Sequence, residues 1–520
     1  MRSSRILSLA LSTLGLLNLG RAAWDVPDEY AITPSKDGHY LQLVTSGQPF
    51  FWQADTAWLL FQRLTYDEAD MYLTDRASKG FTTVLAVGFS QLGITSKNRN
   101  GDVPFINSDP TKPNEPYWAY IDSVVELAWS KGIRVTMVPC WGQYVHDSSG
   151  NPSYINTTTA YTFGNFIGSR YPYLPKMLVA DTNPYWTNKG AVKADYANGG
   201  VAPVYTFRDW SPEYNDLANG IVDGERTTIT SKLPSGNLNN AQRAKFRWLP
   251  LMTIHCTNQW FADTPVAIAS NFFDKQDWLT LDSSQSGHAD FPPNPPIPWW
   301  NARRGWEPIE LMWSKGETVK GNKRPAIDNE AHYENRYDNG NSAYPYWNAS
   351  DVRTGSWQAA FCGAAGITYG GDNTMQFYNP AIAAQDGSGP AIPWMQEIKY
   401  PGSGQMQYIK QAILDRGNTT YFTRIPAQDI IIGDAGLNDK RVTATRDSTG
   451  KWIMVYTPTG SAFTIETKSL VSCNVEASWY DVLSGNYSSF AYTQCGSSTQ
   501  RKFTPPTATS HKDWVLVLES

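Results

Sequence analysis

Residues 65–89 read TYDEADMYLTDRASKGFTTVLAVGF. Thr65 followed three residues later by Glu68 is a capping box, which satisfies the free N–H groups of a first helical turn. Gly80 stands where the left-handed conformation that ends a helix is needed. Directly after it, GFTTVLAVGF is a nearly continuous apolar run rich in β-formers, with none of the alternation of a strand that has one wet face. A helix followed by a strand buried on both faces predicts a parallel sheet covered by helices.

The same unit recurs along the chain. Candidate strands lie in PFFWQADTAW, GFTTVLAVGF, IRVTMVPCWG, PKMLVADTNP, FRWLPLMTIHCT, DWLTLDSSQSGH, RPAIDNEAHYE and AGITYGGD. Helical segments lie between them, such as YWAYIDSVVELAWSKG and SWQAAFCGAAG. In the first of these, Ile121, Val124, Val125 and Ala128 share one face and Gly132 is the stop. Eight such units predict an α/β fold, a (β/α)8 TIM barrel, rather than an open doubly wound sheet, and no G-x-G-x-x-G follows the first strand. Two stretches, 188–245 and 286–306, read as long insertions, which on a barrel lie at the catalytic face when they follow a strand. Trp299, Trp300 and Trp306 in the Pro-rich second insertion suit distal subsites or the packing of that loop.

Beyond about residue 420 the pattern changes to short strands (RVTATRD, KWIMVYTP, AFTIETKSL, VEASWYDVL, DWVLVLES) separated by turns, which predicts a small all-β sandwich. The N-terminus, MRSSRILSLALSTLGLLNLGRAA, has two Arg, an apolar run too short to span a bilayer, and small residues near Ala22. The expected organisation is therefore a signal peptide at 1–22, a barrel at 23–420 and a sandwich at 421–520, in a secreted, extracellular protein.

A net charge of −5 over 520 residues gives no electrostatic reason to expect nucleic acid or a membrane as partner. The 21 Trp and 28 Tyr, many beside Gly, Asn, Asp and Pro, suit stacking on sugars as well as sealing helices onto strands. Of five Cys, Cys473 and Cys495 flank a turn-rich segment and form the most plausible disulfide, whereas Cys140, Cys256 and Cys362 sit in apolar runs as buried thiols. No Cys pair has metal-ligand spacing, and no cofactor is expected. Four sequons, at Asn156, Asn348, Asn418 and Asn486, fit a secreted glycoprotein. The expected state is a monomer.

In such a barrel the chemistry sits at the C-terminal ends of the strands. Read in order, those ends offer Asp55 with Trp58, Trp141, Asp181, His255, Gln285 with His288, Glu330 with Tyr333 and Glu334, and Tyr369 with Asp372. Carboxylates, imidazoles and aromatics without a phosphate loop fit hydrolysis of a glycosidic bond, which needs one protonated and one ionised carboxyl flanking the bond. Asp181 and Glu330 end strands four and seven, on facing sides of the mouth. Asp181 also fits plain turn chemistry in Asp-Thr-Asn-Pro, and Glu330 a structural ion pair with Arg324 or Arg336. Asp328 competes with Glu330 as nucleophile, but it lies further from the strand's end.

The segments FFWQADTAW, VPCWGQYV, VADTNPYW, IHCTNQWF, SSQSGH, RPAIDNEAHYE and AGITYGG resemble, in this order, the apiosidase-like glycoside hydrolases, barrel enzymes of the clan A type. The C-terminal part is similar to the small β-domain named in that family as collagen-binding. The resemblance implies a retaining mechanism with Asp181 as acid/base and Glu330 as nucleophile. The strand ends themselves offer Asp55, Trp58, Trp141, His255, Gln285, His288, Tyr333, Glu334 and Tyr369 to bind a carbohydrate substrate, although Asp55 and Trp58 also fit closure of the barrel floor and His255 and His288 also fit structural support behind the site. Where many members carry a Trp and a Gly-Gly before the acid/base Asp, this chain has Met177 and Val179-Ala180. The alternative is a secreted protein that binds carbohydrate or collagen without catalysis. Collagenolysis itself is disfavoured, because the chain has neither H-E-x-x-H nor G-x-S-x-G.

Overall fold

The computed structural model describes residues 25–146, 153–186, 208–256, 268–288, 305–319, 323–493, 499–507 and 510–520. Every one of the eight candidate runs contains a strand: β1 Trp52–Thr56, β2 Thr83–Phe89, β3 Arg134–Cys140, β4 Lys176–Met177, β5 Met252–Thr253, β6 Asp282–Ser284, β7 Ala326–Asp328 and β8 Gly366–Tyr369. Six of them form one parallel ladder in the order β5-β4-β3-β2-β1-β8, and β6 pairs with β7 in parallel. Single backbone bonds complete the ring: Leu281 N–H donates to Met252 O across the β5–β6 seam (3.2 Å) and Ala365 N–H to Ala326 O across β7–β8 (2.8 Å). The sheet closes on itself, which leaves no edge to cover.

Each strand is followed by a helix, in order α1 Tyr66–Ser78, α2 Glu115–Ser130, α3 Ala160–Arg170, α4 Ser211–Ser231, α5 Ala269–Phe273, α6 Trp306–Thr318, α7 Ala349–Phe361 and α8 Gln407–Leu414. The capping box of α1 is formed by Thr65 and Glu68, and Gly80 has φ +75°. Two sequence expectations are corrected. The helix read from SWQAAFCGAAG begins earlier, at α7, because Asn348 caps it and Asp351 completes a capping box. The stretch 188–245 is not simply an insertion, since it contains α4. Tyr214, Leu217, Ala218, Ile221 and Val222 give α4 a continuous apolar face that its many polar residues mask in the sequence.

That helix is also where two backbones meet. A Cβ on Gly164 or Gly168 of α3 would lie 2.2 or 2.1 Å from the carbonyl oxygens of Leu217 and Ile221, and one on Gly220 or Gly224 of α4 would lie 2.2 or 2.3 Å from those of Tyr161 and Asn165. Glycine is required here for close approach, so the small residues of the two helices interlock and fix the units that carry β3 and β4. At the foot of β4, Lys176 and Glu225 of α4 form a fully buried ion pair.

The C-terminal strands are β9 Arg424–Pro426, β10 Ile431–Ile432, β11 Thr443–Asp447, β12 Trp452–Thr457, β13 Phe463–Glu466, β14 Glu476–Asp481, β15 Tyr487–Phe490, β16 Gln500–Phe503 and β17 Trp514–Glu519. They form two antiparallel sheets, β9-β11-β12-β17-β14-β15 and β10-β13-β16. Both faces of the larger sheet are buried at its central strands, β12 and β17. On β12, Trp452, Met454 and Tyr456 join the barrel's core while Ile453 and Val455 join the core between the sheets. Tyr456 stacks on Trp357 of α7 (5.8 Å, 11°), and Arg353 pairs with Asp513 (2.7 Å). The expected boundary at 420 falls inside the helix Asn418–Phe422, whose Tyr421 is buried and donates to Phe50 O.

Cys140, Cys256 and Cys362 are buried thiols, and Cys473 is disulfide-bonded; Cys495 lies outside the described residues. So do the expected signal peptide, Trp299 and Trp300. Trp306 is buried at the start of α6, against Ile309 and under the guanidinium of Arg441 (4.1 Å). Among the described residues no helix is long and apolar enough to cross a membrane.

The glycine contacts make an expectation of opposite signs. Gly168→Ala should destabilise the protein by about 1–3 kcal/mol through overpacking. Gly355→Ala, in α7 where an added Cβ meets nothing within 4 Å, should instead stabilise it by about 0.4–1 kcal/mol. Calorimetric Tm values of the two variants test this, and equal shifts would contradict the packing described.

Candidate active site

The ladder between β3 and β4 continues past the named strands, with Ala180 N–H donating to Cys140 O (3.0 Å), so Asp181 follows at the strand's upper end. Its φ of +52° is left-handed, a conformation that Asp tolerates better than most residues. The kink leaves the side chain exposed at the mouth. His255, just beyond β5, holds this turn: its carbonyl accepts Thr182 N–H and its Nδ1 accepts Asp181 N–H, both at 3.3 Å. A backbone N–H can only donate, so the imidazole carries its proton on Nε2, which lies 3.3 Å from Glu330 Oε2.

Glu330 stands two residues beyond β7 and is buried. Its Oε1 accepts from Gln285 Nε2 and lies at the same distance, 2.6 Å, from His288 Nε2. Burial works to raise the carboxyl's pKa. Hydrogen bonds from His255 and His288 outweigh it and hold Glu330 well below the ordinary carboxylate range. His288 is itself pushed down, by burial and then by the charge of Arg336, so it is neutral at neutral pH and donates its Nε2–H. Tyr333 tilts against the His288 ring (4.4 Å, 52°), and burial followed by the Glu330 charge raises its hydroxyl well above the usual phenol range. It remains a protonated donor.

Asp181, Glu330, His288, Tyr333, Trp58 and Trp141 line one cavity of about 170 Å³, together with Gln91, Arg336, Met375 and Asp386. This is well below the ~300–1,000 Å³ of ordinary ligand pockets. Trp58 and Trp141 meet edge to face (5.8 Å, 86°), and Trp58 meets His255 the same way (5.0 Å, 79°), which makes a rigid aromatic wall. The rim above β2, β3 and β8 is joined: Gln143 Nε2 donates to Gln91 O (3.1 Å) and Gln91 Nε2 to Asp386 Oδ2 (3.0 Å).

The structure does not bring every expected residue to this cavity. Asp55 is fully buried, accepting from Tyr72 Oη and Arg76 Nε at 2.5 Å each. Tyr369 Oη donates to Glu334 Oε2 (2.6 Å), and the Arg76 guanidinium lies 5.8 Å from the Tyr369 ring. Asp55 and Tyr369 are directly paired across β1 and β8 and both point to the helix layer at α1. A position at a strand's end does not say which face its side chain takes. His255 and Gln285 reach Glu330 rather than the cavity. Arg324 donates to Leu279 O and Asp274 O, and Arg336 pairs with Asp372, so neither forms the structural ion pair considered for Glu330. Asp328 is a buried support that accepts from Ser286 N–H (3.1 Å) and Oγ (2.6 Å).

Gln91, Arg336, Met375 and Asp386 were not among the expected site residues. Gln91 lies two residues after β2, so a reading of that strand's end would have reached it. Met375 and Asp386 lie in the long connection after β8, where nothing in the sequence marks them.

A sequence profile described as "Apiosidase-like, catalytic domain" matches residues 35–420, and one described as "Putative collagen-binding domain of a collagenase" matches 425–519. A search of curated proteins gives no match. Among solved structures, a glycoside hydrolase superposes with TM-score 0.75 at 23% identity, over 95% of this chain and 98% of its own. A glycoside hydrolase family 5 protein from Bacteroides vulgatus ATCC 8482 gives 0.74 at 23% identity, over 94% of each chain. At such identities these two structures speak for the fold. The profile covers most of the chain, and the barrel presents two carboxylates at the mouth of one cavity: the chain belongs to the apiosidase-like family and is a glycoside hydrolase.

Proposed function

We propose that the protein is a secreted, retaining glycoside hydrolase that removes a single terminal sugar from plant or microbial cell-wall polysaccharide. One observation carries the mechanism: a buried carboxylate held in its charged form, Glu330, lines the same cavity as an exposed one, Asp181. Glu330 Oε1 is engaged by Gln285 and His288, which leaves Oε2 to attack the anomeric carbon. Asp181 gives its proton to the departing oxygen, and the C–O bond breaks as the bond to Glu330 forms. In the second half Asp181 takes a proton from water, whose oxygen replaces Glu330 at the same carbon. Neutral His288, protonated Tyr333 and Nε2–H of His255 face the nucleophile as donors and stabilise its charge before attack and after release.

The small cavity and the joined rim of Gln91, Gln143 and Asp386 support action on chain ends. Secretion is supported by the N-terminal sequence, by the exposure of Asn348, Asn418 and Asn486 with Asn156 half-buried, and by a disulfide at Cys473, a bond favoured in oxidising compartments.

With a panel of aryl glycosides and cell-wall polysaccharides, mass spectrometry should find a monosaccharide as the product. Glu330→Gln and Asp181→Asn should each lower kcat by roughly 10³-fold or more while keeping the wild-type Tm. Full activity in Glu330→Gln would sink the assignment, and release of longer fragments would sink the exo reading. The acid limb of kcat/KM reports ionisation of Glu330 and should lie below the ordinary carboxylate value of about 4. His288→Ala removes a donor to the charged form, so the limb should move to higher pH. An unmoved limb would contradict the role given to His288.

A further inference from the structure

Asp372, three residues beyond β8, is fully buried and serves as the hub of a loop. Its Oδ1 accepts from Arg336 Nη1 (2.8 Å) and its Oδ2 from Gly389 N–H (2.8 Å), with Gln385 Nε2 and Ser388 N–H at 3.4 Å. The loop is wound so tightly that a Cβ on Gly387 would lie 2.2 Å from Asp372 Oδ2, and one on Gly389 would lie 1.7 Å from Asn335 O. Buried Gln376 continues the anchoring, accepting Asp386 N–H and Arg63 Nη1 at its Oε1. Glu397 holds the neighbouring backbone through Asn373 N–H and Thr374 Oγ1, both at 2.8 Å. One buried carboxylate thus fixes two side chains that line the cavity, Arg336 directly and Asp386 through its loop.

Neither of these transfers a proton or forms a covalent bond in the proposed reaction. Among the described residues Arg336 and Asp386 bond neither each other nor Glu330, and Asp386 is exposed with its Oδ2 taken by Gln91. A donor and an acceptor held ready on a rigid frame, beside but apart from the reacting carboxylates, are suited to recognising a ligand that has both hydroxyl donors and acceptors. The charges select further. Glu330 and Asp386 face the cavity as carboxylates, and Arg336 is already paired with Asp372. A carboxylated sugar would meet like charge there.

We propose that Asp386 and Arg336, fixed together by Asp372, are the specificity-determining residues for a neutral, polyhydroxylated glycone, with Asp386 accepting its hydroxyl hydrogens and Arg336 donating to its oxygens. This rests on the glycosidase reading above and adds the class of sugar and the residues that select it.

Calorimetric titration of the full-length protein with free neutral pentoses and hexoses, and with the corresponding uronic acids, tests it. At least one neutral sugar should bind, each uronic acid should bind at least tenfold more weakly than its neutral counterpart, and Asp386→Ala should weaken the neutral sugar roughly 10- to 100-fold at unchanged Tm. Gly387→Ala, which displaces the loop without touching a lining side chain, should give the same loss. Uronic acids that bind as tightly as neutral sugars, Asp386→Ala that binds as wild type does, or no sugar binding at all would overturn the proposal. Binding of neutral sugar by a protein that hydrolyses nothing would instead overturn the hydrolytic reading and leave this one standing.

Discussion

A charged carboxylate below the surface of a barrel is unstable unless donors surround it, and Glu330 is the point at which this fold meets that constraint. Gln285 and His288 come from the segment after β6, His255 from the end of β5, and Glu330 from the end of β7. Because three successive strands must present their ends at one height, the register of β6 against β7 fixes Glu330 as firmly as any side-chain contact does. His255 extends the same constraint to β4: its Nδ1 takes the Asp181 N–H while its Nε2 faces Glu330. Asp181 and Glu330 are thus referred to a single imidazole.

What keeps β4 in place lies on the outside of the barrel. The interlocked glycines of α3 and α4 bring two helix backbones together, and the buried pair of Lys176 and Glu225 ties α4 to the foot of the strand. A second frame stands across the mouth, where Asp372 and Glu397 order the connection after β8 and with it one wall of the cavity. The β-sandwich covers α7 with one face of its larger sheet through Trp357, Tyr456 and the Arg353–Asp513 pair, so the helix following the strand that leads to Glu330 is itself held from outside.

The barrel was legible in the sequence because its strands are apolar on both faces and its helices begin at recognisable caps, as Thr65 and Glu68 illustrate. Asp181 and Glu330 were legible for the same reason, since a strand's end locates the mouth. The face of a strand was not. Asp55 and Tyr369 end β1 and β8 but point to the helix layer, where Arg76 and Tyr72 satisfy Asp55, because in a doubly buried strand apolar residues give no alternation from which to tell inside from outside. Helix α4 was obscured by its polar residues and by glycines that serve packing rather than turns. Asp386 was invisible for another reason: its place at the cavity is set by bonds to Asp372 and Gln376 from distant parts of the loop, and no local pattern encodes them.

The most direct measurement is trapping with an activated 2-deoxy-2-fluoro glycoside of an accepted glycone, followed by peptide mapping by mass spectrometry. A covalent nucleophile held ionised and deep in the site should carry one glycosyl adduct, on Glu330, and the adduct should be lost as the intermediate turns over in water. An adduct on another carboxylate, or a protein that turns over the parent glycoside with inversion and never acquires an adduct, would contradict the account.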